Sequence, residues 1–293
     1  MKKIGLVVLN YNNSNDTIQF LNRIRYFNNL NHIVVVDNKS TDKSFQKLKK
    51  YSSDKISVIL SESNGGYGCG NNVGIKYLLN KFHVNYVIVS NPDVFFDCDV
   101  ILRMLNFFEH SGLKNIGIVA PTMKNKLGKV EVTSWKMPTF KSDLFRSEFF
   151  INFIFQFFQK RKCSTILNQK FKDVDVLSGA FFMIKSDIFR EINYFDEKTF
   201  LYREEAILAK KLKQHGYQNY LLLDSYYFHI GSSTIAKETD VIKRFRYYYR
   251  SIIIYHRYYT EDNNFKIMIL HIFLKIAIIE RRMIFFLRKM KNE

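Results

Sequence analysis

Proline is nearly missing from this sequence, at 3 of 293 residues, and cysteine and tryptophan are as scarce, at 3 and 1. So little proline excludes collagenous and polyproline chains, which need it every few residues. The cysteines, Cys69, Cys98 and Cys163, are odd in number and lack Cys-x-x-Cys spacing. That excludes a disulfide framework and a thiolate zinc site, and suits a reducing cytosol. No run of eighteen uncharged apolar residues occurs; the nearest, Ile267 to Ile279, carries His271 and Lys275, so no spanning helix is expected. The run Ile4 to Leu9 is too short for an export signal and leads into Asn10-Tyr11-Asn12-Asn13. Acids are in deficit too. The 27 Asp and Glu face 45 Lys and Arg, a formal net charge of +18, so the surface attracts nucleic acid, anionic lipid head groups or phosphorylated substrates.

What is present is a folding composition, 47% hydrophobic and 16% aromatic. Short β-branched runs predict strands at Ile4–Leu9, His32–Val36, Ile56–Leu60 and Tyr86–Val89. Helical patterns between them span Asp16–Tyr26, Asp42–Lys50 and Asn71–Lys81. This rhythm predicts an α/β fold with a Rossmann-like, mainly parallel sheet covered by helices on both faces, and a ligand crevice beyond the carboxyl ends of the strands. Further on, a helix is expected near Val100–His110, a strand near Ile116–Pro121, an aromatic stretch of undecided form from Phe140 to Phe158, a strand near Phe181–Ile184, a helix Glu204–His215 closed by Gly216, and a strand near Tyr220–Leu223. From Val241 the chain turns basic and aromatic, with helices Lys243–Tyr259 and Phe265–Met290 about the polar turn Glu261-Asp262-Asn263-Asn264. Two units are therefore expected: residues 1–240 as an α/β domain and 241–293 as an appended amphipathic helical module.

Several residues could carry chemistry. No GxxxxGK[ST] loop exists, and the glycine-rich segment Gly65 to Gly74 follows the third strand and lacks a dinucleotide fingerprint. Such a segment reads either as a flexible loop or as a phosphate-facing helix start. Asp37, ending Val34-Val35-Val36, and Asp93, behind Asn91-Pro92, are explained individually by a helix cap and an Asx-turn. Asp93, where proline stiffens the turn, suits a hard cation bridging a diphosphate, and carboxylates at two strand ends point to one crevice. Glu204 and Glu205 fit the electropositive first turn of a helix, yet neighbouring carboxylates also resist ionising together, which suits a general base. His229 reads as a core histidine, a metal ligand or a phosphate donor.

In order, these pieces resemble glycosyltransferase family 2 of the GT-A fold, in the group of bacterial rhamnosyltransferase-like enzymes of capsule and cell-wall polysaccharide synthesis. The resemblance runs from Ile4 to Ser233 through Val8-Leu9-Asn10-Tyr11-Asn12, Val36-Asp37-Asn38-Lys39-Ser40-Thr41-Asp42, Asn64-Gly65-Gly66-Tyr67-Gly68, Asn91-Pro92-Asp93, Ser178-Gly179-Ala180, Glu204-Glu205 and His229 with Ser232-Ser233. It implies an inverting, metal-dependent transferase. Asn10, Tyr11, Asn12, Asp37, Asn64, Gly65 and Asn91 would serve the nucleotide, with Asp37 accepting from a pyrimidine ring. Asp93, as the last aspartate of a DXD motif, would hold Mn²⁺ or Mg²⁺ with His229. Gly179, Ala180 and Glu204 would line the donor and acceptor sugar pocket, and Glu205 would be the catalytic base. Asn91, where the motif has its first aspartate, favours a donor such as dTDP-L-rhamnose over UDP-hexose.

The acceptor implied is a glycan hydroxyl on a lipid-linked polysaccharide precursor at the cytoplasmic face of the membrane. Basic residues at helical spacing, Lys243, Arg246, Arg250 and Arg257, then His271, Lys275, Arg282 and Lys289, predict peripheral attachment to an anionic membrane surface. Packing of these helices on the catalytic domain or in a homo-oligomer is the other reading. No nucleic-acid partner is expected. The alternatives are a sugar-phosphate nucleotidyltransferase, which would carry a phosphate loop after its first strand, and a non-enzymatic basic protein binding membrane or RNA through Tyr247-Tyr248-Tyr249-Arg250.

Overall fold

The computed structural model describes residues 2–147, 169–230 and 241–292. The sequence readings for the aromatic stretch beyond residue 147, for Cys163, for Ser232 and Ser233, and for the side chain of Lys289 lie outside the described residues.

Valine- and isoleucine-rich segments form β1 (Ile4–Asn10), β2 (His32–Asp37), β3 (Ile56–Leu60) and β4 (Tyr86–Ser90). These four run parallel, in the order β3-β2-β1-β4. Their side chains alternate between two cores, as strand geometry requires. Leu6, Val8, Ile33, Val35 and Ile88 meet Phe20 and Leu21 of α1 (Ser14–Ile24) and Met104 of α4 (Cys98–His110) on one face. Val7, Val34, Val36, Val87 and Val89 meet Ile75 and Leu78 of α3 (Gly66–Lys81) on the other. The short helix α2 (Ser44–Lys49) completes the crossover between β2 and β3.

Beyond β4 the sheet becomes mixed: β10 (Phe181–Lys185) pairs antiparallel with β4 and with β6 (Ile116–Lys124), and β6 runs parallel to β11 (Gln218–His229). The edge partners of β11 are β5 (Val94–Phe95) and β8 (Phe171–Val174), both antiparallel. Two short strands, β7 (Ser134–Trp135) and β9 (Val176–Leu177), pair separately. The helix α6 (Ser186–Glu191) follows β10, and α7 (Glu204–Gln214) sends Leu208 and Leu212 into the second core.

The helix expected from Asn71 begins at Gly66, so most of the glycine-rich segment is helical. Tertiary contacts override the poor helix propensity of glycine here. Gly66 has φ +88°, and a Cβ there would lie 2.0 Å from the Phe200 carbonyl oxygen, so only glycine fits the junction. Strand β11 is also far longer than expected, reaching His229, because a bulge between Leu222 and Tyr226 restores its pairing with β6 after the apolar run ends.

The C-terminal segments α8 (Val241–Tyr259) and α9 (Asn264–Asn292) pack on each other and on α5 (Phe140–Ser147), enclosing Tyr249, Ile252, Leu270, Leu274 and Ala277 beside Phe140 and Leu144. Tyr255 adds a contact with Ala206 and Ile207 of α7. The apolar face of α8 is thus spent on packing, while Lys243, Arg246, Arg250 and Arg257 are exposed. Among the described residues no helix is long and apolar enough to cross a membrane.

Candidate active site

The chain runs from β1 to β2 on one side and crosses back from β3 to β4 on the other side of β1, which opens a crevice at the carboxyl ends of β1 and β4. Asn10, fully buried, donates from Nδ2 to Asp37 Oδ2 at 2.8 Å and to Ser40 Oγ at 3.2 Å, and accepts from Thr17 Oγ1 at 2.9 Å. Asp37, also fully buried, accepts the Ser40 amide on Oδ1 and its hydroxyl on Oδ2, both at 2.8 Å. The carboxylate therefore ties the turns after β1 and β2 together from below. Above it, Asn12 takes a left-handed φ of +49° and accepts the Thr41 amide at 2.8 Å. Asn38 Nδ2 donates to Asn64 Oδ1 at 2.9 Å and to the Gly66 carbonyl at 3.1 Å, while its own Oδ1 is buried without a partner. Tyr11, Asn64 and Gly65 are half-buried around this turn.

A cavity of about 550 Å³ opens beside it, lined by Asn91, Gly179, Ala180, Glu204, Glu205 and His229, together with Tyr67, Trp135, Arg203 and Tyr248. Two consecutive left-handed residues, Tyr202 at φ +73° and Arg203 at +70°, swing the chain into α7 and deliver both glutamates at its first turn. Bulky residues rarely adopt this region, so the strain is held by surrounding contacts. Those contacts are the Arg203–Asp143 ion pair and an edge-on packing of Tyr202 with Tyr248.

Glu205 Oε1 accepts the Gly179 amide at 3.4 Å, and the Tyr67 hydroxyl donates to the Gly179 carbonyl at 2.7 Å. A Cβ on Gly179 would stand 3.0 Å from Glu205 Oε1 and 3.3 Å from the Tyr67 hydroxyl, so the close approach depends on glycine. Burial, then the Glu205 charge, pushes Glu204 up to about 8, and its Oε1 is buried without a hydrogen-bond partner. Burial raises Glu205 as well, opposed by backbone N–H donors and the Arg203 charge. Burial and the two carboxylates raise Tyr67 well above its ordinary value.

Asp93 and His229 are brought together by pairing of β5 with the end of β11, where His229 stands opposite Val94. His229 Nε2 lies 3.0 Å from Asp93 Oδ2. One carboxylate and one imidazole could together contribute ligands to a divalent cation, which would need its remaining ligands from elsewhere. Among the described residues no group of three or more His, Cys, Asp or Glu side chains is placed to bind a metal.

The structure thus gathers Asn91, Gly179, Ala180, Glu204, Glu205 and His229 in one cavity, with Asp93 joined through His229. Asn10, Tyr11, Asn12, Asp37, Asn64 and Gly65 form the adjoining turn cluster and do not line that cavity. Sequence reasoning missed the role of Tyr67, hidden among glycines, and of Arg203, whose only signal was its place before Glu204. It also missed Asp143 and His256, which meet only in the fold. Asp143 Oδ2 lies 2.8 Å from His256 Nε2, and His256 Nδ1 lies 2.8 Å from Asp262 Oδ2.

Residues 6–193 match the model of the family described as Glycosyl transferase family 2. A curated relative, the low-salt glycan biosynthesis hexosyltransferase Agl10 of Haloferax volcanii, is 30% identical over 203 residues, covering 69% of this chain; the chain spans 59% of that relative's length. Among solved structures, S. aureus TarS 1–349 in complex with UDP-GlcNAc is similar at TM-score 0.56 and 19% identity, over 93% of this chain and 71% of that one. The mannosyltransferase PcManGT from Pyrobaculum calidifontis, in complex with GDP-Man and Mn²⁺, is similar at TM-score 0.55 and 14% identity, over 94% and 72%. These two likenesses bear on the fold, which is GT-A.

Proposed function

The chain belongs to glycosyl transferase family 2, and we propose that it transfers a sugar, with inversion, from a nucleotide diphosphate sugar to a hydroxyl of a glycan acceptor. The observation that carries this reading is one cavity shared by a buried glutamate pair and by His229, itself paired with Asp93. A base for the acceptor and a cation site for the leaving group are both required by sugar transfer.

The acceptor hydroxyl gives its proton to Glu205 as its oxygen attacks the anomeric carbon; the bond from that carbon to the diphosphate oxygen breaks, and the nucleoside diphosphate leaves. Attack from the base's side, opposite the leaving group, inverts the centre. The Gly179 amide holds the Glu205 carboxylate, and the Tyr67 hydroxyl holds the Gly179 carbonyl. Asp93 and His229 would hold the divalent cation, Mn²⁺ or Mg²⁺, which when bound supplies positive charge to the departing diphosphate. Tyr11, Asn12, Asn64 and Gly65 border the nucleotide in this reading, and the buried Asn10 and Asp37 shape the turn beneath it. Asn91, carrying no charge, favours a dTDP-L-rhamnose donor, with UDP-hexoses as the second class. The acceptor is a lipid-linked precursor of a capsular or cell-wall polysaccharide, reached at the cytoplasmic face of the membrane.

The test is donor turnover, followed as nucleoside diphosphate released from UDP-, dTDP- and GDP-sugars with Mn²⁺, with Mg²⁺ or with chelator. One nucleotide class should be consumed, in a cation-dependent way and faster with glycan acceptor. Failure to turn over any nucleotide sugar, alongside nucleotide-sugar synthesis from sugar phosphate and nucleoside triphosphate, would overturn the assignment in favour of a nucleotidyltransferase.

A further inference from the structure

Helix α9 is apolar on two opposed faces. Ile267, Leu270, Leu274 and Ala277 are buried against α8 and α5, as an ordinary packed helix requires. On the other side Phe265, Met268, Ile272, Ile276, Ile279 and Met283 form a second row, each between 48% and 63% exposed. Their spacings of 3, 4, 4, 3 and 4 average the 3.6 residues of a helical turn, so the row runs straight along the helix for about 27 Å. Nothing among the described residues covers it. So long an exposed apolar row marks a binding surface.

We propose that this face docks on a membrane surface bearing anionic lipid, with α9 lying in the plane of the head groups. Two observations favour lipid over a second copy of the chain. First, a coiled-coil seam follows a 3.5-residue repeat. Extended from Phe265 and Met268, that repeat runs through Ile272, Lys275, Ile279 and Arg282, setting two exposed cations in the interface. A flat surface needs no such repeat and accepts the straight row. Second, the charge matches: α9 carries seven Lys and Arg against the single acid Glu280, and His271, Lys275 and Arg282 are exposed along one flank of the row. Cations flanking an apolar row meet lipid phosphates while the row enters the head-group boundary.

The row lies outside the catalytic cavity, so docking and donor binding are measured separately. Flotation of the full-length protein with phosphatidylcholine vesicles, with and without about a third phosphatidylglycerol, tests the proposal. Wild type should float with the anionic vesicles at low salt and bind at least about tenfold more weakly to neutral ones or at high salt. The double variant Ile272→Glu/Ile276→Glu should lose binding at unchanged Tm and unchanged donor binding, and Lys275→Glu/Arg282→Glu should lose the preference for anionic lipid. Wild type that stays off anionic vesicles, or an Ile272→Glu/Ile276→Glu protein that binds as wild type does, would overturn it. A wild-type dimer in sedimentation, made monomeric by that double variant without any vesicle binding, would give the face to a second copy instead.

Discussion

Glu204 and Glu205 are neighbours in sequence with unlike surroundings, and the proposed reaction assigns the acceptor's proton to Glu205 alone. Glu205 has an N–H donor from Gly179 and the Arg203 charge nearby, whereas Glu204 has a buried oxygen with no partner. The pair titrates as a unit, Glu205 yielding its proton first. Replacing Glu205 by Gln should lower turnover by about 10² or more with little change in donor affinity, measured by steady-state kinetics and nucleotide titration. Glu204→Gln should cost far less, and should leave the rising limb of the pH–rate profile nearly in place, because Glu204 is still uncharged while Glu205 ionises. The same substitution has a stability signature. The folded-state value of Glu204, about 8, lies above the unfolded value of roughly 4.3. Its stabilising contribution is therefore complete below the unfolded value and is lost as pH rises toward 8. The Tm of the ligand-free protein should fall across that interval, and Glu204→Gln should flatten the fall.

At the scale of elements, a buried polar chain fastens the C-terminal hairpin to the loop that presents these glutamates. Arg203 pairs with Asp143 on α5, Asp143 with His256 on α8, and His256 with Asp262, which also binds Lys266 on α9 at 3.1 Å. Asp143 and His256 are essentially inaccessible to solvent. Removing one member of such a set leaves uncompensated buried charge, so Asp143→Ala should destabilise the protein by about 3–5 kcal/mol in denaturant unfolding. Turnover should also fall at temperatures where the fold persists, because Arg203 is released from its strained left-handed conformation. Burial acts to raise Asp262, but hydrogen bonds from Thr260, His256 and Lys266 outweigh it and hold the carboxyl below its ordinary value. Its contribution is accordingly present above the unfolded value near 3.9 and lost as pH falls through the lower, folded one.

This chain was not legible in the sequence, since Asp143 and Arg203 lie far from His256, Asp262 and Lys266, and each resembles an ordinary surface residue. The four parallel strands were legible, because Val34-Val35-Val36 and Val87-Ile88-Val89 must be covered on both faces. The start of α3 was not, because glycines that discourage a helix in isolation are required here by contact with Phe200.

For the whole molecule, the site is built from segments far apart in the chain, and sequence order alone revealed its parts without their arrangement. Asp93 and His229 were each ambiguous alone; the short pairing of β5 with β11 makes them neighbours. Asp37 was legible as a strand-end carboxylate, but its complete burial beneath Asn10 and Ser40 depends on the register of β1 with β2. The net charge of +18 drew attention to the C-terminal helices, while the exposed apolar row of α9 emerged only once its packed face was known. Asp37, Asp93 and His229 bear on one claim of the proposed function, that the cavity beside the parallel strands receives a nucleotide diphosphate sugar through a cation held at Asp93. Calorimetric titration of UDP, dTDP and GDP into wild type and Asp93→Ala, each with and without Mn²⁺, tests it most directly. At least one nucleotide should bind wild type about tenfold or more tightly with Mn²⁺ than without, and Asp93→Ala should fold normally yet lose that gain. Equal Mn²⁺-dependent affinity in both proteins, or no nucleoside diphosphate bound by wild type, would contradict it.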